Sequence, residues 1–124
     1  MRFLTIFQSP ERDAPPTEAE MATMGAFIEE AAKAGWLVTT EGCLPTRLGA
    51  RVRQANGDVT VRDGPFTEAK EVVGGFAIIQ ATSKDEAIAL TRRFLSVAGD
   101  GECEIRQLYE APAFDAAQNG VAAG

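Results

Sequence analysis

Histidine is absent from the chain. Its absence removes Ser-His-Asp and Cys-His nucleophile arrangements, together with the commonest ligand of transition metals. Proton transfer, if the protein performs it, falls to carboxylates, lysine, tyrosine or cysteine. Cysteine is scarce: Cys43 and Cys103 are the only two, and they stand too far apart for a metal-type spacing. They read as free thiols of a reducing compartment. Neither a metal nor an organic cofactor is therefore expected. Positive charge is short as well, with 12 Lys and Arg against 18 Asp and Glu and a net charge of −6. Such a chain does not suit binding driven by phosphate neutralisation, so no direct nucleic-acid partner is expected. No apolar run approaches the roughly 20 residues of a membrane span. Nor does a basic stretch followed by an apolar core and a cleavage site open the sequence. The expectation is a cytoplasmic protein with no membrane partner.

What is present suffices for one domain with a modest core: 124 residues, 45% of them hydrophobic. That domain is expected over residues 1–114, with a frayed tail of small and polar residues from 115 to 124. Arg2 to Gln8 reads as a strand, apolar on both faces through Phe3, Leu4, Ile6 and Phe7, and hence central in its sheet. Thr17-Glu18-Ala19-Glu20 has the form of a capping box. It opens a helix whose stripe is Met21, Met24, Ile28 and Ala31, with Phe27 beside it and Gly35 as the stop. A second strand runs from Trp36 to Glu41. Asn56-Gly57 between Arg51–Gln54 and Val59–Arg62 signals a two-residue type I′ hairpin, with Val52 opposite Val61 and Arg51, Arg53 and Arg62 on the other face. Gly75 to Gln80 is again apolar on both faces. Ser83-Lys84-Asp85-Glu86 repeats the capping box for a second helix, with stripe Ala87, Leu90, Phe94 and Val97 and a stop at Gly99. Cys103 to Tyr109 is partly polar and reads as an edge strand.

The order β-α-β, hairpin, β-α-β is that of an α+β, ferredoxin-like split βαβ with an inserted hairpin, an antiparallel sheet carrying two helices on one face. Two helices leave the other sheet face bare although both central strands are apolar there, and a second copy of the chain is the simplest cover.

The most informative segment runs from Asp63-Gly64-Pro65-Phe66 through Lys70-Glu71 to Gly74-Gly75-Phe76. Pro65 holds its φ near the fixed ring value and Gly64 tolerates dihedrals closed to other residues, so Asp63 sits on a stiff corner with Phe66 as its anchor. Gly74 and Gly75 precede a strand rather than a helix and do not form a nucleotide loop.

Together with Glu41-Gly42, Leu44-Pro45, Gly49-Ala50-Arg51-Val52-Arg53, Ser83-Lys84-Asp85-Glu86-Ala87 and Glu104-Ile105-Arg106-Gln107, this segment makes an ordered set. It resembles the YCII-related family, in its DGPF branch. The resemblance implies a subunit that pairs into a dimeric α+β barrel, and a family of small catalysts or ligand binders with a His/Asp pair as its proposed site. With no histidine here, only the acidic member is left to carry over, and Asp63 is the residue in question. The resemblance also implies a regulatory role beside a sigma-factor-type regulator.

Each candidate residue has two readings. Asp63 is a general acid/base at a pocket mouth, or an Asx-type cap of its own turn. Glu41 shares a cavity with Asp63, where two carboxylates would split their pKa values, or is a solvated strand end. Lys70 holds an anionic ligand or pairs locally with Glu68 or Glu71. Arg51 and Arg53, with Arg62, bind a carboxylate or form a charged face that discourages aggregation. Phe66, Trp36, Met21 and Met24 are core side chains or the wall of a ligand box. Three functions follow: a metal-free isomerase or lyase acting on a small polar or aromatic molecule by carboxylate chemistry, a binding protein without turnover, or a regulatory module.

Overall fold

The computed structural model describes residues 1–110; the expected boundary at residue 114 and the tail beyond it lie outside the described residues. The elements are β1 (Arg2–Ser9), α1 (Glu18–Ala34), β2 (Leu37–Gly42), a single 3-10 turn (Thr46–Leu48), β3 (Ala50–Ala55), β4 (Asp58–Asp63), β5 (Val72–Gln80), α2 (Lys84–Ala98) and β6 (Glu102–Gln107). The main sheet has the order β2-β5-β1-β6, with antiparallel neighbours throughout. The two strands that are apolar on both faces, β1 and β5, are therefore the central pair, and β6 is an edge. This is the ferredoxin-like α+β arrangement expected from the sequence. β3 and β4 form a separate hairpin, with Val52 opposite Val61 and both turn residues at positive φ, Asn56 at 54° and Gly57 at 84°, as a type I′ turn requires.

Local chemistry fixes both helix starts. Thr17 accepts from the Glu20 amide while the Glu20 carboxylate accepts from the Thr17 amide, a complete capping box. At α2 the Ser83 hydroxyl accepts from the Glu86 amide, but the Glu86 carboxylate reaches one residue further back, to the amide and hydroxyl of Thr82. The expected second box is thus completed by Thr82 instead of Ser83, because Thr82 offers two donors to one carboxylate. Gly35, at φ 86°, closes α1 with its amide on the Ala32 carbonyl.

Strand alternation sorts the sheet into two faces. Phe3, Thr5 and Phe7 of β1 stand opposite Ile79, Ala77 and Gly75 of β5 and face the helices. The core there is Phe3 (2% exposed), Ile79 (3% exposed), Ala81 and Ala87, with Trp36, Leu37, Ala77, Leu90 and Ile105 packed around them. Leu4, Ile6, Phe76 and Ile78 lie on the opposite face, which the helices leave uncovered. Helix α2 sits close to the sheet, whereas Ala31 is the one buried residue of α1. The stripe expected to seal α1 onto the core is only half-sealed, with Met24, Phe27 and Ile28 half-buried and Met21 55% exposed. Helix α1 stands off, and a space remains beneath it.

Candidate functional site: an aromatic cleft beneath α1

That space is a cleft of about 790 Å³ between α1, α2 and the helix-facing side of the sheet, within the usual size range of small-molecule sites. A chain of aromatic rings forms its wall. Phe7 of β1 meets Phe94 of α2 edge-on at 5.6 Å; Phe94 lies 6.4 Å from Phe27 of α1; Phe27 meets Trp36 at 5.9 Å. These are favourable edge and tilted geometries. Arg93 stacks 5.9 Å from Trp36 and 6.0 Å from Phe27, and it bonds Glu30 at 3.0 Å, tying α2 to α1 on the outer side of the rings. Met24, Ile28 and Leu90 add apolar lining; Thr5, Thr40, Thr91 and Cys103 interrupt it. Burial pushes the Cys103 thiol pKa up, which keeps it protonated at neutral pH.

At the mouth, Arg12 holds the Glu20 carboxylate with both terminal nitrogens, at 2.7 and 2.8 Å. This fork and the capping contacts from Thr17 together lower the Glu20 pKa to about 2. The chain entering α1 is thereby fastened to the helix it precedes.

The corner singled out from the sequence is built differently. The Gly64–Pro65 peptide is cis. The Gly64 amide donates to the Gly49 carbonyl at 2.9 Å. A β-carbon at Gly64 would overlap the Thr46 carbonyl oxygen, so only glycine fits against the 3-10 turn. The Phe66 amide donates to the Thr46 hydroxyl at 3.1 Å; that hydroxyl and the Thr46 amide both donate to Glu11, at 2.6 and 2.7 Å. These two bonds hold the Glu11 carboxyl pKa below its usual range. Phe66 is buried, with the Arg51 guanidinium 3.9 Å above its ring and that of Arg62 at 5.3 Å. One oxygen of Glu68 accepts from both arginines, at 3.2 and 2.6 Å. The corner fastens the hairpin to the loop after β2.

The expected site residues divide accordingly. Glu41 lines the aromatic cleft at the end of β2, and its register partner is Phe76, a residue of the uncovered face. Asp63 ends β4 opposite Ala50, is exposed, and lines neither the cleft nor a second depression nearby. The two carboxylates are not brought to one cavity. Among the described residues the Asx-type bonds of the alternative reading are not formed either. Phe66 and Arg51 do meet, and both line that second depression, of about 580 Å³, with Thr46, Glu71 and Val73. Arg53 lies on the exposed hairpin. Lys70 is exposed and the ion pairs among the described residues do not include it; the expected partner Glu68 is taken by Arg51 and Arg62.

The sequence offered Trp36, Met21 and Met24 as the wall of a ligand box, and all three line the cleft, but it did not place the cleft beneath α1. The signal of the cleft was present in Met24, Phe27, Trp36 and Phe94, but helical spacing alone does not distinguish a stripe that packs from one that lines a space. Among the described residues no helix is long and apolar enough to cross a membrane, and no three His, Cys, Asp or Glu side chains converge as metal ligands.

Comparison with known proteins places the chain. An uncharacterised protein of Rhizobium meliloti (strain 1021) is 34% identical over 92 residues, which cover 73% of this chain and 74% of that protein. The model of the YCII-related domain matches residues 1–112, from β1 through β6. The chain is a member of the YCII-related domain family.

Proposed function

We propose that this protein binds a compact aromatic molecule in the cleft beneath α1. The observation that supports this reading is the ring wall of Phe7, Phe94, Phe27 and Trp36 around a space of about 790 Å³. A half-buried ring wall is costly to leave in water and gains from a flat guest. Trp36 is the sole tryptophan and reports on the site directly. A panel of small aromatic metabolites should include compounds that change Trp36 emission saturably and raise the melting temperature by mass action. A panel that moves neither signal overturns the reading.

Where turnover accompanies binding, the proposed chemistry is proton transfer of an isomerase or lyase kind without a metal. Glu41 is the carboxylate of the sequence-derived pair that lines the cleft, so Glu41→Gln should retain guest binding and lose turnover. Asp63, with Phe66, Arg51, Arg53 and Lys70, remains a proposal for the corner region, tested by whether Asp63→Asn alters ligand response without altering stability.

A second reading is favoured by the exposed apolar face of the hairpin, where Val52 is 70% exposed and Val59 and Val61 are on the same side. A DGPF-type regulatory module would dock a sigma-factor-type regulator through such a surface. Substituting the three valines by threonine should leave guest binding intact and abolish that docking.

A further inference from the structure

We propose that the cleft selects a neutral aromatic guest that donates a hydrogen bond, such as a phenol or an aromatic amine, over one that only accepts or that carries negative charge. This rests on the binding reading above and specifies its ligand class. The lining threonine hydroxyls point their protons at backbone carbonyls. Thr5 donates to the Ala77 carbonyl at 3.3 Å, Thr40 to the Phe76 carbonyl at 2.9 Å, and Thr91 to the Ala87 carbonyl at 2.8 Å. All three line the cleft, and Thr5 and Thr91 are buried. A hydroxyl has one proton and two lone pairs. With each proton already directed at backbone, the threonines offer a guest lone pairs alone. A guest that needed a donor from a threonine would have to draw a hydroxyl away from its carbonyl and forfeit that bond, which leaves the Trp36 indole N–H and the weakly donating Cys103 thiol as the side-chain donors of the lining outside the Arg12 fork.

Charge points the same way. Arg12 is the one basic residue among the lining residues. Both its terminal nitrogens are on Glu20, and one also reaches the Pro15 carbonyl at 3.4 Å. The remaining charged lining residues, Glu20 and Glu41, are acidic. An anionic guest therefore meets no free cation, and the carboxylate at the mouth is that of Glu20. A neutral donor meets three acceptors set among rings.

Three matched probes test this on the whole protein by calorimetry: naphthol, methoxynaphthalene and naphthoate. They share the ring system and differ in the polar group. Naphthol is expected to bind about 3- to 10-fold tighter than methoxynaphthalene, the equivalent of one net hydrogen bond, and naphthoate is expected to bind weakest. Apolar area alone would rank the methyl ether first, so the order is diagnostic. Methoxynaphthalene binding as well as naphthol, or naphthoate binding tightest, overturns the selectivity while leaving the cleft a binding site. No binding by any of the three overturns both. Thr40→Val removes one acceptor from a half-buried position on the edge strand β2. It should lower naphthol affinity toward that of the ether and leave the ether unchanged. Equal losses for both probes would indicate a distorted cleft and count against the threonine's proposed part.

Discussion

Gly64 shows what the DGPF corner does at the scale of single residues. Its missing side chain is what lets the corner lie against the Thr46 carbonyl, and the obstacle is backbone, which cannot rotate aside. Gly64→Ala should therefore cost about 1–3 kcal/mol or more, as forced overpacking does, read as a lowered denaturant midpoint at unchanged slope. Thr46→Val removes the hydroxyl that accepts from Phe66 and donates to Glu11. A loss of about 1–2 kcal/mol is expected, since one amide loses its partner. Asp63→Asn, by contrast, alters an exposed group at the strand end and should change stability by less than about 0.5 kcal/mol. The corner was legible in the sequence as a stiff anchored turn. What it anchors was not. Gly64 and Thr46 are 18 positions apart with a whole hairpin between them, and local pattern carries no signal for that approach. The same limit misdirected the pairing of Lys70: Glu68 looked like its neighbour along the chain, but two arginines projecting from adjacent strands reach it first.

At the scale of elements the sequence was most informative where short-range chemistry decides the outcome. Thr17 and Glu20, Asn56 and Gly57, Gly35 and the alternation of β1 and β5 all act within a few residues, and each element formed where that chemistry placed it. Helix α1 marks the boundary of that legibility. Its start was readable, its stripe was readable, and the distance at which it would settle over the sheet was not, because that depends on Phe7, Phe94 and Trp36 from three other elements. The N-terminus of α1 carries its own pH dependence. Glu20 has its pKa lowered from 4.5 to about 2 by Arg12 and the Thr17 cap. A depressed folded-state pKa means that the stabilisation is complete above the ordinary carboxylate value and is lost as pH falls toward about 2. Glu20→Gln cannot titrate and should be less stable than the parent at neutral pH. The gap between the two should close between pH 4.5 and about 2, followed by amide exchange in the first turn of α1. A gap that stays constant through that window would mean that the Arg12–Glu20 fork contributes nothing to holding the helix end.

For the whole molecule the governing fact is the sheet face that carries Leu4, Ile6, Phe76 and Ile78. Phe76 is 36% exposed there, with Ile6 of β1 on one side and Glu41 of β2 on the other in the register. Polar groups from Arg106 and Glu104, which bond each other at 3.1 Å, frame this patch on the β6 edge. Apolar area of this kind is stabilised by about 25 cal/mol for each Å² removed from water. A stable pair of chains needs roughly 1,000 Å² or more in total, which a four-stranded sheet face can supply. We propose that such pairing forms the dimeric α+β barrel implied by the resemblance, so that the purified protein scatters light as a dimer at micromolar concentration. Ile78 lies between Leu4 of β1 and Thr39 of β2, at the middle of the face. Ile78→Lys would set an unpaired ammonium within the buried contact, so that variant should aggregate or fail to fold. Failure to fold alone would not distinguish a broken interface from a broken monomer. Arg106→Glu separates the two, since it lies at the frame, leaves the core intact and places like charges beside Glu104. It should weaken the dimer in a salt-dependent way while the circular dichroism of each chain is kept. A parent protein that sediments as a folded monomer at micromolar concentration would show that the bare face is solvated, and the paired barrel would have to be abandoned.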